Sequence, residues 1–152
     1  MNFNIGELCK IVKGNALCET AFSNANYPLS GSYIDVSGYE DVNVVIHLGT
    51  INASDTPTFD IKCADSLTGT LDVLDATNCS HEIANDDDGE FVQFHIKTSE
   101  LPEDHHFLSC VVSDAASTSY GDIVFYLCGA RSLPVTQSST AGSTVAIHDL
   151  AG

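Results

Sequence analysis

The stretch Val42-Asn43-Val44-Val45-Ile46-His47-Leu48 decides the fold class, because apolar and polar side chains alternate along it. Successive residues of a β-strand point to opposite faces, so the four apolar residues at every second position, from Val42 to Leu48, share one face. β-Branched residues dominate the run, and Gly38 and Gly49 flank it. These features are typical of a core strand with one buried face.

Further short runs of the same kind occur on both sides of this strand, at residues 34–36, 58–63, 71–74, 91–97, 107–113 and 123–128. Turn residues separate the runs, and no segment has the 3.6-residue apolar repeat of an amphipathic helix. The sequence therefore predicts an all-β fold, an antiparallel β-sandwich that is jelly-roll-like. It leaves the strand order open between jelly-roll and immunoglobulin-like topologies.

The first 31 residues differ from the rest of the chain in charge. Residues 1–31 contain two lysines and two glutamates, whereas residues 32–152 contain 19 acidic and three basic residues. We predict that residues 1–31 form an extended arm that docks on a neighbouring subunit, and that residues 32–135 form the sandwich body. The predicted docking residues of the arm are Phe3, Ile5, Leu8, Lys10, Ile11, Val12 and Lys13. The alternative is that this segment is a first strand and a loop of the same domain.

The C-terminal segment, residues 136–152, combines a polar linker with a candidate tail strand. Ser, Thr, Gln and Gly dominate residues 136–144, which is typical of a linker. Apolar residues then recur over residues 145–150, and we predict that this strand pairs with a sheet edge of its own chain or of a neighbour. The residues predicted to carry that pairing are Val145, Ile147 and Leu150.

The charge of the chain excludes two classes of partner. Its 152 residues include 21 Asp and Glu but five Lys and Arg, a formal net charge of −16. Nucleic acids and anionic membranes bind through lysine and arginine, so neither is expected as a partner. No run of about 18 apolar residues is present, and the N-terminus has no secretory signal pattern, so we expect synthesis and assembly in cytoplasm.

Six cysteines raise the question of disulfides. They lie at positions 9, 18, 63, 79, 110 and 128, with no CxxC pair that would indicate a zinc or thioredoxin-like site. Because the expected compartment is reducing, we predict free thiols, buried where they lie in apolar runs, as Cys63, Cys110 and Cys128 do. The alternative is one or two disulfides formed after release into an oxidising medium.

Candidate sites for chemistry are few. The sequence has no nucleophile elbow, phosphate-binding loop or HExxH motif, so we expect no enzyme activity and no cofactor. Asp86, Asp88 and Glu90 form a calcium candidate, since clustered carboxylates suit that cation, and the alternative is an acidic hairpin tip. A calcium- or carbohydrate-binding β-sandwich module is the corresponding alternative function.

Histidines and the single arginine are the remaining candidates. Adjacent residues His105 and His106 point to opposite faces of a strand, which disfavours a shared metal. His47 and His95 both occupy solvent-facing positions and approach each other if their strands are neighbours. Arg131, the one arginine, is expected to pair with a carboxylate, either within the chain or across an interface.

Two segments resemble a known group of proteins. Residues 37–49 and the run Ile123-Val124-Phe125-Tyr126-Leu127-Cys128-Gly129-Ala130-Arg131-Ser132-Leu133-Pro134-Val135 resemble the opening and closing strands of small β-proteins of tailed bacteriophages. The Thr68-Gly69-Thr70-Leu71 turn occupies the place of a Gly-Thr turn in that group. Some members are capsid decoration, or cement, proteins, and others are head or tail accessory proteins.

The resemblance implies a non-enzymatic structural protein on the capsid exterior of a virion. It implies a role in bridging neighbouring major capsid subunits, with the major capsid protein as partner and with a homodimer or homotrimer as the functional form. A tail or head–tail accessory protein is the alternative within the same group.

Overall fold

The structure is a computed structural model, and it describes residues 8–15, 20–29, 32–75 and 77–131. Its regular structure is a short 3-10 helix at Thr98–Glu100 and the strands β1 Lys10–Lys13, β2 Ala25–Tyr27, β3 Ile34–Asp35, β4 Asp41–Leu48, β5 Thr58–Ala64, β6 Asp72–Val73, β7 Ser80–Glu82, β8 Phe91–Lys97, β9 Phe107–Ser113 and β10 Gly121–Cys128. Among these residues, no helix is long and apolar enough to cross a membrane.

The strands form two antiparallel sheets, which confirms the predicted all-β sandwich. The four-stranded sheet has the order β1-β10-β4-β8. The other sheet has the order β2-β9-β5-β6, with β3 also paired to β9 and β7 also paired to β5. Early strands thus pair with late ones in nested order: β1 with β10, β2 and β3 with β9, β4 with β8, and β5 with β6 and β7. This nesting is the jelly-roll arrangement, and it decides the strand order that the sequence left open.

One hydrophobic core joins the two sheets. Alternate side chains of β4 and β10 are fully buried, as the period-two pattern predicts. Alternate residues of β5 and β9 meet them from the other sheet, in a single cluster. Phe22 and Phe59 lie edge to face within it, with ring centroids 5.0 Å apart. Fully burying a large apolar side chain contributes roughly 1.5–3 kcal/mol, so this cluster is the main source of stability.

The described part of the first 31 residues belongs to the body, which corrects the predicted arm. β1 pairs with β10 over four residues, and β2 pairs with β9 over three. Phe22 and Tyr27 are fully buried in the core. The described segment is therefore part of the sandwich, with Phe22 and Tyr27 in its core, and the alternative of a first strand in the same domain holds here. Phe3 and Ile5 lie outside the described residues, as does the tail at 136–152.

The cysteines divide into two classes. Cys9 and Cys128 form a disulfide that joins β10 to the residue before β1, across a sequence separation of 119. The prediction of free thiols was therefore wrong for Cys9 and Cys128, because the pairing of β1 with β10 brings these two residues together. Cys63 and Cys110 are free and buried, as predicted, and burial raises the pKa of both thiols.

A buried carboxylate holds two loops together at one end of the sandwich. Asp55, in the β4–β5 loop, has a relative exposure of 0%. It accepts hydrogen bonds from the backbone N–H of Ala116, Thr118 and Ser119, each at 2.7 Å, and from Thr118 Oγ1 at 3.0 Å. The Ser119 hydroxyl in turn donates to the Asp55 carbonyl at 3.1 Å. These donors all come from the β9–β10 loop, so the Asp55 side chain fixes the position of that loop.

Candidate docking surface

The outer face of the four-stranded sheet is built from residues that alternate with the core positions. The strand register places Tyr126 of β10 between Ile11 of β1 and Asn43 of β4. One step along the sheet, Val124 lies between Lys13 and Val45 in the same way. We call the face formed by Ile11, Lys13, Asn43, Val45, His47, Phe91, Gln93, His95, Val124 and Tyr126 the docking face.

Apolar side chains occupy the middle and one edge of the docking face. Val45, Val124 and Tyr126 are half-buried by their cross-strand neighbours and still present part of their surface to solvent. Phe91, at the β8 edge, is 67% exposed, and its ring stacks on His47 with 4.6 Å between centroids. Apolar residues grouped on an exposed face are a recurrent feature of protein-binding surfaces.

The polar groups of the docking face bond to one another. Gln93 Nε2 donates to Asn43 Oδ1 at 2.9 Å, across the β8–β4 pair. His95 Nε2 lies 2.8 Å from Asp41 Oδ1, at the end of the same two strands. These cross-strand bonds link β8 to β4 through their side chains on this face.

The four-stranded sheet that carries the docking face, called the docking sheet below, is nearly neutral in a strongly acidic molecule. Its four strands contain three lysines against two carboxylates, Asp41 and Asp122, so their formal charge is +1. The strands of the other sheet contain one lysine against four carboxylates, Asp35, Asp60, Asp72 and Glu82, a formal charge of −3. A partner that approaches the docking sheet therefore meets less like-charge repulsion and less desolvation cost than on the other side.

The structure distributes the predicted arm residues over both faces of β1. Ile11 and Lys13 lie on the docking face, opposite Tyr126 and Val124. Val12 has the opposite orientation and packs against the core. Lys10 pairs with Leu127 on the core side of the sheet edge, and Leu8 is exposed just before the strand. Part of the predicted docking set thus shares one surface, as strand residues.

Among the described residues, Arg131 has no partner for the ion pair predicted within the chain. Its side chain is exposed, and no carboxylate of the described residues lies within 4.0 Å of it. The backbone N–H of Arg131 donates to the Gly38 carbonyl at 3.2 Å, so the main chain rather than the guanidinium anchors this residue. Pairing across an interface stays a prediction.

The acidic loop before β8 is organised by backbone hydrogen bonds. Asp88 accepts a hydrogen bond from the Ile51 N–H, and Asp87 Oδ2 accepts one from the Ala84 N–H at 2.8 Å. Over the described ranges, no group of three or more His, Cys, Asp or Glu side chains is placed to hold a metal ion. The calcium candidate of Asp86, Asp88 and Glu90 is thus not assembled, because loop geometry engages the carboxylate of Asp88 elsewhere.

The histidine pairs are likewise separate. β4 and β8 are neighbours, but the register places His47 opposite Phe91 and His95 opposite Asn43, four residues further along. His106 is exposed, whereas His105 is half-buried and bonded on both nitrogens. Nδ1 lies 2.9 Å from the Glu103 carbonyl oxygen, and Nε2 lies 3.0 Å from Asp72 Oδ2.

The imidazole of His105 is expected to titrate above its ordinary range. Both nitrogens can donate only when the ring is protonated, so the Glu103 carbonyl and then the Asp72 carboxylate raise its pKa above 6.5. The stabilising effect of the protonated His105 ring is present below about pH 6.5 and is lost as the pH rises through the raised pKa. NMR titration of His105 measures this directly.

Asp72→Asn is expected to lower the midpoint of that titration. Asp104→Asn is the matched control, since it removes a carboxylate next to His105 in sequence that makes no hydrogen bond to the ring. A midpoint that does not respond to Asp72→Asn, or that responds equally to both changes, would contradict the assigned contacts.

Comparison of the chain with protein-family models, with curated proteins and with solved structures found no significant match. The function of the protein is therefore inferred from the docking face rather than from the fold, because one fold serves many functions.

Proposed function

We propose that this protein is a non-enzymatic structural protein of a tailed-phage particle, located on the capsid exterior. It decorates and stabilises the capsid by bridging neighbouring major capsid subunits. The observation that carries the proposal is the docking face, a nearly neutral, partly apolar sheet surface on a chain of net charge −16. The resemblance of the strand regions at residues 37–49 and 123–135 to phage proteins supports the choice of partner.

The charge distribution suits a protein that must bind in one orientation. Acidic loops and the acidic second sheet keep free copies apart and away from nucleic acid, while the docking sheet offers a contact of low repulsion. On a lattice, many identical contacts of modest strength add up through multivalency, so one small face per copy is sufficient.

The jelly roll and the disulfide are both compatible with this role. Jelly rolls are common among viral capsid domains, although they also occur in lectins and cupins. A disulfide between Cys9 and Cys128 suits a protein that acts in an oxidising environment after release from the cell.

The copy number of the chain in purified particles tests the proposal. Quantitative mass spectrometry gives its ratio to the major capsid protein. A ratio near one, or a simple lattice fraction such as about one-third, is expected for a protein that follows the symmetry of the capsid. A few copies per particle would instead favour the tail or head–tail accessory role, and absence from the particle would overturn the proposal.

Substitution in the docking face tests the surface. Val124→Gln places a polar side chain at the centre of the face, and we expect affinity for capsids that lack the protein to fall about tenfold, or about 1.4 kcal/mol. Val111→Gln is the matched control, since Val111 is a half-buried valine on the outer face of the other sheet, opposite Asp60. Equal losses for both variants, with unchanged thermal stability, would contradict the assignment of the face.

A further inference from the structure

The sheet edges of this sandwich differ in how well they are protected. An edge strand presents unpaired backbone groups, and proteins usually shorten or interrupt such strands. β1 has four residues, β2 and β3 divide one edge into pieces of three and two, and β6 and β7 divide another into two and three. β8 is the exception, with seven continuous residues paired on one side to β4 without a bulge. Within the described part of the chain, nothing pairs with its other side.

The backbone groups that β8 leaves open can be identified from its bonds to β4. The Leu48 N–H donates to the Glu90 carbonyl, and the Thr98 N–H donates to the Glu40 carbonyl. Even-numbered residues of β8 therefore bond to β4, because N–H and C=O of one residue in an antiparallel ladder point the same way. The N–H and C=O of Phe91, Gln93, His95 and Lys97 point away from the sheet.

The sequence of β8 is complementary to itself in the antiparallel direction. A two-fold axis at Phe94 places Gln93 opposite the partner's His95, and Phe91 opposite the partner's Lys97. All four open residues then fall in hydrogen-bonded pairs, which gives eight backbone hydrogen bonds. On the core side, Val92 lies opposite the partner's Ile96, so apolar residues meet apolar residues along the whole strand.

The composition of β8 permits pairing with a second copy of this chain. β8 contains no carboxylate, although the whole chain contains 21. Two copies of a molecule with net charge −16 repel each other over most of their surface, and this strand avoids a direct carboxylate contact. The partner's Lys97 also lies over the exposed ring of Phe91, where its methylene groups and its charge both interact favourably.

We propose that two copies of this protein pair through β8 as an antiparallel two-fold dimer, in which two four-stranded sheets become one eight-stranded sheet. The two docking faces then form one continuous surface. The dimer is a property of the purified chain in solution, so its test is independent of the proposed role on capsids.

Sedimentation velocity of the full chain over a range of concentrations tests the dimer. We expect a reversible monomer–dimer equilibrium for the native chain and a monomer for Gln93→Pro, because proline removes one outward N–H without removing a backbone hydrogen bond to β4. Gln93→Ala is the matched control: it loses the same side-chain bond to Asn43 but keeps the N–H, and it should remain dimeric. Circular dichroism verifies that both variants are folded.

Salt gives a second readout. Carboxylates flank β8 at both ends, Glu90 before it and Glu100 after it, so screening should strengthen the dimer, with a lower Kd at about 0.5 M than at about 0.05 M salt. A native chain that is monomeric at all concentrations would overturn the proposal, as would a dimer that Gln93→Pro leaves intact. A monomer that dimerises only after removal of residues 136–152 would also overturn it, since the tail would then be what covers β8.

Discussion

Replacement of Asp55 by alanine is expected to lower the free energy of unfolding by about 2–3 kcal/mol. The side chain is fully buried and accepts four hydrogen bonds from Ala116, Thr118 and Ser119. Alanine leaves those donors without an acceptor, and an unmet group costs about 1–3 kcal/mol where it is buried, as at Ser119, and less at the exposed Ala116 and Thr118, where water can replace the carboxylate. Because the donors all come from the β9–β10 loop, we expect local loosening of that loop as well.

Urea unfolding at neutral pH measures the effect, and Asp35→Ala is the matched control. Asp35 is an exposed aspartate that accepts one hydrogen bond, from the Ser37 N–H at 2.9 Å, so its loss should change stability by about 0.5 kcal/mol or less. Similar losses for the two variants would mean that the Asp55 network does not stabilise the fold.

The same network predicts how stability depends on pH. Burial raises the pKa of Asp55, but the hydrogen bonds from the three residues of the β9–β10 loop outweigh it and hold the pKa below 3.8. The stabilising effect of the carboxylate is therefore fully present above about pH 4, its unfolded range, and is lost as the pH falls through the lower folded value. Asp55→Asn should unfold with a shallower dependence on pH in this acidic window.

Strand positions could be predicted where the sequence itself carries the alternation. β4 and β8 each repeat apolar side chains at every second residue, and burial follows that pattern. β2 and β7 were missed, because Ala25–Tyr27 and Ser80–Glu82 are too short and too polar to show a period. Their strand geometry comes from pairing with β9 and β5, which is tertiary information.

The docking face and the buried aspartate show the same limit. Val45 and Val124 are ordinary outward positions of two strands, and the register of β4 on β10 is what makes them neighbours. Asp55 lies in a polar loop, and its partners are 61 to 64 residues away in the sequence. Local sequence patterns could predict the strands. Contacts across such separations could not be predicted from them, because those contacts depend on how the strands pair in the sheets.

Removal of the Cys9–Cys128 disulfide is the other change with a large expected effect. Cys9→Ser/Cys128→Ser should lower the free energy of unfolding by about 2–5 kcal/mol, because the bond closes a loop of 119 residues in the unfolded chain. The long loop places the expected value in the upper part of that range. Urea unfolding with and without reductant measures it: the native chain should lose stability on reduction, and the double variant should not respond.

The effect on β1 should be confined to its first half. The other end stays attached without the disulfide, because the Gly14 N–H donates to the Ile123 carbonyl at 2.7 Å. The buried Asn15 side chain also bridges β10 there, donating to the Gly121 carbonyl and accepting from the Ile123 N–H. Amide exchange should therefore accelerate at Lys10 more than at Gly14, since the N–H groups of both residues point toward β10, and uniform acceleration would contradict this division.

In the proposed capsid role, loss of the disulfide should also weaken binding to capsids, because it disturbs one border of the docking face. Ile11 lies next to Tyr126 on that face and only two residues after Cys9, so a frayed β1 removes an apolar neighbour from the contact. Cys79→Ser is the control, since Cys79 is a free, half-buried thiol that precedes β7 in the other sheet. If the double serine variant bound capsids as tightly as Cys79→Ser, β1 would hold its place through its non-covalent contacts, and the border of the docking face would not depend on the covalent link.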